Sequence, residues 1–192
     1  MRNFRAGIVA LALLGVGVAR AQTTFSEIDV SGSLALPNLV DTSGDGIDVH
    51  LENATVGDPA GPVRAGTVVI SYEATRAGID RVDTTLLGAL TGAASVSVAM
   101  LIEDLDVMPP VTIGEYAAEL TANDDFPATA SVMLSRITPH IRVTKTLTFS
   151  SPTTEGEEWA NVSLSGERMA LVPEPAGLAL AGVLVLALRR RL

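Results

Sequence analysis

The stretch Ile141-Arg-Val-Thr-Lys-Thr-Leu-Thr-Phe149 decides the fold. Ile141, Val143, Leu147 and Phe149 alternate with Arg142, Thr144, Thr146 and Thr148. Successive side chains of a β-strand point to opposite faces, so this order builds one apolar and one polar face. Three other segments repeat the pattern. Ile47, Val49 and Leu51 alternate with Asp48, His50 and Glu52. Val68, Ile70 and Tyr72 alternate with Val69, Ser71 and Glu73, and Val96, Val98, Met100 and Ile102 form a further stripe. Between the stripes lie Ser43-Gly44-Asp45-Gly46, the Gly/Pro-rich run 57–62, Ala122-Asn123-Asp124-Asp125 and Ser150-Ser151-Pro152. Such residues supply the φ values at which a chain reverses. Many short strands with this punctuation predict an all-β domain, an antiparallel β-sandwich. Thr85 to Ala94 reads as a bent strand or a short helix. Thr153 to Glu158 reads as an acidic loop before a last strand near Trp159 to Leu164.

Both ends differ from this body. Arg2 and Arg5 precede an uncharged apolar run, Ala6 to Ala19, and Ala19-Arg20-Ala21 fits a small-x-small cleavage pattern. These are the parts of a secretory signal peptide over 1–21, and they place the mature start at Gln22. The run is about 21 Å long as a helix, short of a comfortable membrane span. At the other end stand Val172-Pro173-Glu174-Pro175, an apolar run from Ala176 to Leu188, and Arg189, Arg190 and Arg191. The run reads as a short transmembrane helix, about 20 Å long, whose arginines snorkel to the interface. By the positive-inside rule those arginines stay cytoplasmic and leave Pro-Glu-Pro on the periplasmic side. The two prolines keep that segment extended.

In motif, helix and basic stop, residues 172–191 resemble the PEP-CTERM sorting signal of Gram-negative envelope proteins, although family tails usually carry a longer apolar run. The resemblance covers roughly a tenth of the chain. It implies that an exosortase, a membrane cysteine protease, cuts near the motif and releases or transfers the protein. It also implies a route: export, a transient stay in the inner membrane, then the cell surface or the extracellular matrix.

Composition bounds the body, Gln22 to Val172, which is long enough for one domain with a proper core. The chain has 13 Lys plus Arg and 22 Asp plus Glu. Six of the former and one of the latter lie in the two ends, so the body keeps seven against 21, a net charge of −14. Such a surface repels phosphates, which argues against nucleic acid as a partner. It favours solubility and can attract divalent cations. The chain has no Cys, so thiol catalysis, thiolate metal sites and disulfides are excluded.

Four constellations were weighed as sites. Asp41, Ser43 and Asp45 occupy the first, third and fifth places of a calcium-loop pattern, with Gly46 sixth and Glu52 twelfth. However, Asp48 stands where such loops carry an apolar residue, and the segment runs into a strand rather than a helix. A Gly-rich hairpin turn is the competing reading. Asp48, His50 and Glu52 share one strand face, yet three metal ligands rarely come from one strand, and His140 is the only other histidine. Glu103, Asp104 and Asp106 form an acidic cluster of the kind glycoside hydrolysis uses, without an aromatic sugar platform. Asn53-Ala54-Thr55 matches the N-glycosylation acceptor, a short pattern that arises readily by chance. There is no Gly-x-Ser-x-Gly nucleophile elbow.

The sequence therefore reads as a non-enzymatic structural protein of the cell surface or extracellular matrix, with no cofactor required. Its partners are the secretion machinery, an exosortase and, through the tail, the inner membrane. Two alternatives stay open: a calcium-dependent binding module for polysaccharide or another surface protein, and a secreted hydrolase.

Overall fold

The computed structural model describes residues 22–34, 39–52, 54–57, 63–152 and 158–171. The expected signal peptide with Ala19 and Ala21, the expected sorting motif Val172 to Pro175, the apolar run, Arg189 to Arg191 and Asn53 lie outside the described residues. Among those described, all nine elements are strands and no helix is long and apolar enough to cross a membrane. They are β1 (Thr24–Ser31), β2 (Leu39–Ser43), β3 (Gly46–His50), β4 (Thr55–Gly57), β5 (Ala65–Leu90), β6 (Ser95–Asp104), β7 (Val111–Thr121), β8 (Ala128–Ser150) and β9 (Trp159–Leu171). Every pairing is antiparallel.

Two long strands organise the molecule. β5 and β8 pair from Ala65↔Ser150 to Leu86↔Ala128, interrupted between Thr75 and Arg81. On its other side β5 meets β1 through its first half and β9 through its second. β6 covers only the C-terminal half of β8, and β7 lies outside β6. The first half-sheet is therefore β1-β5-β8-β6-β7. The second is β2-β3-β9-β5-β8, with β4 beside the start of β9. At the interruption, residues 76–78 of β5 oppose Pro139 of β8. Gly78 sits there at φ +78, a conformation that glycine takes without a Cβ penalty. Pro139 cannot donate to a ladder, which suits a corner rather than a sheet interior. Strands that bend at bulges carry a chain from one layer of a sandwich to the other.

The two halves face each other across one core. Lys145 on the first half-sheet bonds Thr84, Ser165 and Glu167 on the second. The four alternating stripes point inward, as the sequence predicts: Ile47, Val49, Leu51, Val68, Ile70, Tyr72, Val96, Ile102, Ile141, Val143, Leu147 and Phe149 are at most 1 % exposed. Burying one such side chain is worth about 1.5–3 kcal/mol, so the stripes hold the layers together.

The structure extends the sequence reading in two places. Thr85 to Leu90 is the end of β5, with a bulge at Leu87/Gly88, and not a helix. The last strand continues past Leu164 to Leu171. The bulge between Val162 and Leu164 shifts the phase, so that Ser165, Glu167 and Met169 point inward after Ala160 and Val162. Two polar residues at inward positions hide the strand from a hydrophobicity pattern.

Candidate functional site

The calcium-type residues lie on a hairpin. Ser43 pairs with Gly46 across the two-residue turn Gly44-Asp45, and Asp41 pairs with Asp48. At about 3.3 Å per residue, the turn tip carrying Asp45 is roughly 10 Å along the ladder from Asp41, and Glu52 lies as far beyond it at the other end. Each carboxylate has its own company. Asp41 Oδ2 is 3.2 Å from His50 Nε2, and Asp45 Oδ2 is 3.7 Å from Arg76 Nη1 at the corner. Ser43 lines an open polar depression of about 350 Å³ with Gln22 to Phe25. Glu52 is exposed in a turn. No three His, Asp or Glu among the described residues gather as a metal-holding group. The calcium-loop expectation is thus replaced by the hairpin, because strand pairing from Gly46 onward carries Glu52 away. The Asp48 and His50 pair separates likewise: Asp48 takes a two-pronged contact from Arg168 at 2.9 and 2.8 Å, while His50 turns to Asp41.

The acidic cluster also divides. Glu103 and Asp104 are consecutive in β6 and face opposite sides. Asp104 is buried and fastens the corner. Its Oδ1 accepts from Thr138 Oγ1 at 2.8 Å and from the Asp106 amide at 2.9 Å, and its Oδ2 lies 2.6 Å from Arg136 Nη2. Burial pushes the Asp104 carboxyl up, but these donors outweigh it and hold it below the usual range. Its contribution to stability is then complete above the unfolded value of about 3.9 and is lost as pH falls from there through the lower folded value. Chemical-denaturation midpoints should therefore drop on acidification below about pH 4. Asp104→Asn should be less stable at neutral pH and show a shallower drop. An unchanged slope in that variant would assign the acid sensitivity elsewhere.

The outer face of the first half-sheet mixes charged and hydroxyl side chains with Val69, Ala99 and Leu101. One row runs Ser26, Glu73, Arg142, Glu103, Thr112 across five strands. Arg142 Nη2 donates to Glu73 Oε1 at 2.7 Å, His140 Nε2 is 3.2 Å from Glu73 Oε2, and Arg142 Nη1 is 3.9 Å from Glu103. Bonding to Arg142 holds the Glu73 carboxyl below its ordinary range, against a smaller upward push from burial. Successive rows present Ser71, Thr144 and Leu101, then Val69, Thr146 and Ala99, then Thr67, Thr148 and Ser97.

The most unusual group is inside. Lys145 occupies the fifth place of the stretch Ile141 to Phe149, between Val143 and Leu147 on the inward face, and is fully buried. Its Nζ lies 2.7 Å from Glu167 Oε1, 2.5 Å from Thr84 Oγ1 and 2.9 Å from Ser165 Oγ. Glu167 is fully buried too, and Thr84 and Ser165 also donate to its Oε1 at 3.3 and 3.2 Å. Glu167 Oε2 and the Tyr72 hydroxyl are buried with no hydrogen-bond partner among the described residues. Burial, and then the charge of Glu167, pushes the Tyr72 hydroxyl pKa well above its usual value. Sequence reasoning passed over both charges. The signal was present, since Lys145 has the inward parity of its neighbours, but its partner lies on a strand hidden by a bulge.

No protein-family model and no curated protein matches the chain. Solved structures do. TmCBM61 in complex with β-1,4-galactotriose is 15% identical, with a TM-score of 0.40 over 76% of this chain and 90% of that one. A family 11 carbohydrate-binding module from Clostridium thermocellum, in complex with a β-1,3-1,4-mixed-linked tetrasaccharide, is 13% identical, with a TM-score of 0.30 over 83% and 94%. A structure of carbohydrate-binding modules from the β-sandwich superfamily is 10% identical, with a TM-score of 0.35 over 81% and 58%. At these scores the likeness carries no argument about function. The fold rests on the pairing of this chain's own strands.

Proposed function

We propose that this is an exported structural protein of the cell surface or extracellular matrix, freed from the inner membrane by an exosortase that cuts near Pro173-Glu174-Pro175. The observation that carries the reading is the order of Val172-Pro173-Glu174-Pro175, the uncharged run Ala176 to Leu188 and Arg189 to Arg191. β9, the last described strand, lies inside the sheet between β3 and β5 and is described to Leu171, one residue before the motif begins. A cut at the motif removes none of the described strands. The acidic, cysteine-free body suits a soluble life beyond that membrane. In cells that hold an exosortase, mass spectrometry of surface and released protein should find chains that begin near Gln22 and lack Leu178 to Leu192. An intact C-terminal peptide on most of that protein would refute processing and leave simple anchoring.

One observation favours polysaccharide binding as a second reading. The outer face of the first half-sheet sets Glu73, Arg142 and Glu103 in one row beside several Ser and Thr hydroxyls. Such groups bond sugar hydroxyls without needing calcium. Losing one charged hydrogen-bond partner costs about 1.5–3 kcal/mol, at least about tenfold in affinity. Arg142→Ala should weaken co-sedimentation with insoluble surface polysaccharide by that factor, with or without a calcium chelator. Binding that ignores the substitution would discard this face. The secreted-hydrolase alternative gains nothing from Glu103 and Asp104, which face opposite sides of β6.

A further inference from the structure

A carboxylate buried away from water ordinarily has partners on both oxygens, because each unpaired polar atom there costs about 1–3 kcal/mol or more. Glu167 departs from this in one direction. Three donors converge on Oε1: the Lys145 ammonium, the Thr84 hydroxyl and the Ser165 hydroxyl. None reaches Oε2. The lopsided pattern suits an amide better than a carboxylate. An amide carbonyl needs donors, and the second oxygen of the acid is the one that an amide lacks.

We propose that Lys145 and Glu167 join through an intramolecular amide cross-link between the two layers of the sandwich, formed by the chain itself. The ion pair and its neutral form, an amine beside a carboxylic acid, hold the same protons, and the free amine is the nucleophile. The Lys145 amine attacks Glu167 Cδ. The new bond is Nζ–Cδ and the bond that breaks is Cδ–Oε2. Oε2 departs as water with the proton of the acid and one from the amine. Nothing is oxidised or reduced, and no co-reactant is consumed. Negative charge develops on Oε1 during attack, where the Thr84 and Ser165 hydroxyls already point, and fixed donors at such a position stabilise the intermediate.

Tyr72 supplies the remaining part. It pairs with Val143 and Lys145 pairs with Ile70, so the two inward side chains are diagonal neighbours. The ring is fixed edge-on against Phe25, with centroids 5.8 Å apart. Its hydroxyl is buried without a partner, and the raised pKa keeps its proton in place. It is not hydrogen-bonded to Oε2, which is also without a partner, so passing a proton to the departing oxygen requires a side-chain rotation that brings the two together. A cross-link would also give a cysteine-free chain the covalent tie that a disulfide gives others.

Tryptic mapping of the full-length protein tests this directly. Unlinked chain is cut after Arg142, Lys145 and Arg168 and yields 143–145 and 146–168 separately. Linked chain is expected to resist cutting at Lys145 and to yield 143–168 as one looped peptide, lighter by one water, about 18 Da. Glu167→Gln should reach the same product mass by losing ammonia instead. Lys145→Met should lose the loop, and Tyr72→Phe, which keeps the ring, should slow its appearance after synthesis. Folded wild-type protein that gives the two separate, full-mass peptides overturns the proposal. That result would mean a plain ion pair, with water beside Oε2. Wild type and Glu167→Gln decide the matter even where Lys145→Met accumulates poorly.

Discussion

The Lys145→Met chain is expected to be about 3–5 kcal/mol less stable than the Lys145→Met/Glu167→Leu double variant. Removing the lysine alone leaves a carboxylate in the middle of the core, with two hydroxyls as its only donors. Removing both charges leaves apolar side chains beside Ile70, Met100 and Ile47, their apolar strand partners. Replacing a buried pair by apolar groups of similar volume is often neutral or stabilising, whereas orphaning one partner is not. Guanidinium unfolding of the two variants measures the gap, and a difference below about 1 kcal/mol would mean that water reaches Glu167. Neither variant can form the amide, so this result does not depend on the cross-link. The wild type adds that information. Closing the loop from 145 to 167 constrains the unfolded chain by about 3 kcal/mol, on the scale known for disulfides. A wild type that exceeds the double variant by that amount matches the linked chain.

The second large effect is expected at Gly57. It ends β4, where the amide donates to Val63 O at 2.8 Å and the backbone pairs with Trp159. Its φ is +89, and an added Cβ would lie 2.1 Å from the Glu158 carbonyl oxygen and 2.9 Å from Trp159 Cα. Both obstacles are backbone and cannot swing aside. Backbone strain and overpacking each cost about 1–3 kcal/mol, so Gly57→Ala should lose about 3 kcal/mol and roughly 10 °C in Tm. Gly44→Ala is the control. It has positive φ, +59, but nothing within 4 Å of an added Cβ, so it carries strain alone. Equal melting temperatures for the two variants would show that β4 yields easily.

Several features were legible because they depend on local alternation. The stripes at Ile47, Val68, Val96 and Ile141 are all inward, and the turn before Gly46 is a hairpin. Pro139 and Gly78 mark the corner, but no local rule says that they face each other across 60 residues. The long strands were harder. β7 points Gly114, Tyr116 and Ala118 toward its partners, and the first half of β8 carries Met133 and Ile137 outward at 64% and 57% exposure. Neither segment shows the clean contrast that a pattern search needs. The candidate sites fared according to their separation. Asp41, Ser43, Asp45 and Glu52 match a ligand spacing in sequence, but a hairpin ladder spreads them. Glu103 and Asp104 are neighbours in sequence, and for that reason a strand sends them to opposite faces.

By itself the sequence determined the all-β class, the inward stripes, the acidic cysteine-free body and two ends of foreign character. These follow from short-range rules: alternation, turn chemistry and composition. The tertiary structure alone decided that Lys145 meets Glu167. Their partnership needs β8 on one layer, β9 on the other, a bulge near Ser163 to set the phase of Glu167, and a bend at the corner that brings the layers together. No local signal encodes those four conditions jointly. A charge at an inward position can be tolerated only where the whole fold delivers its partner.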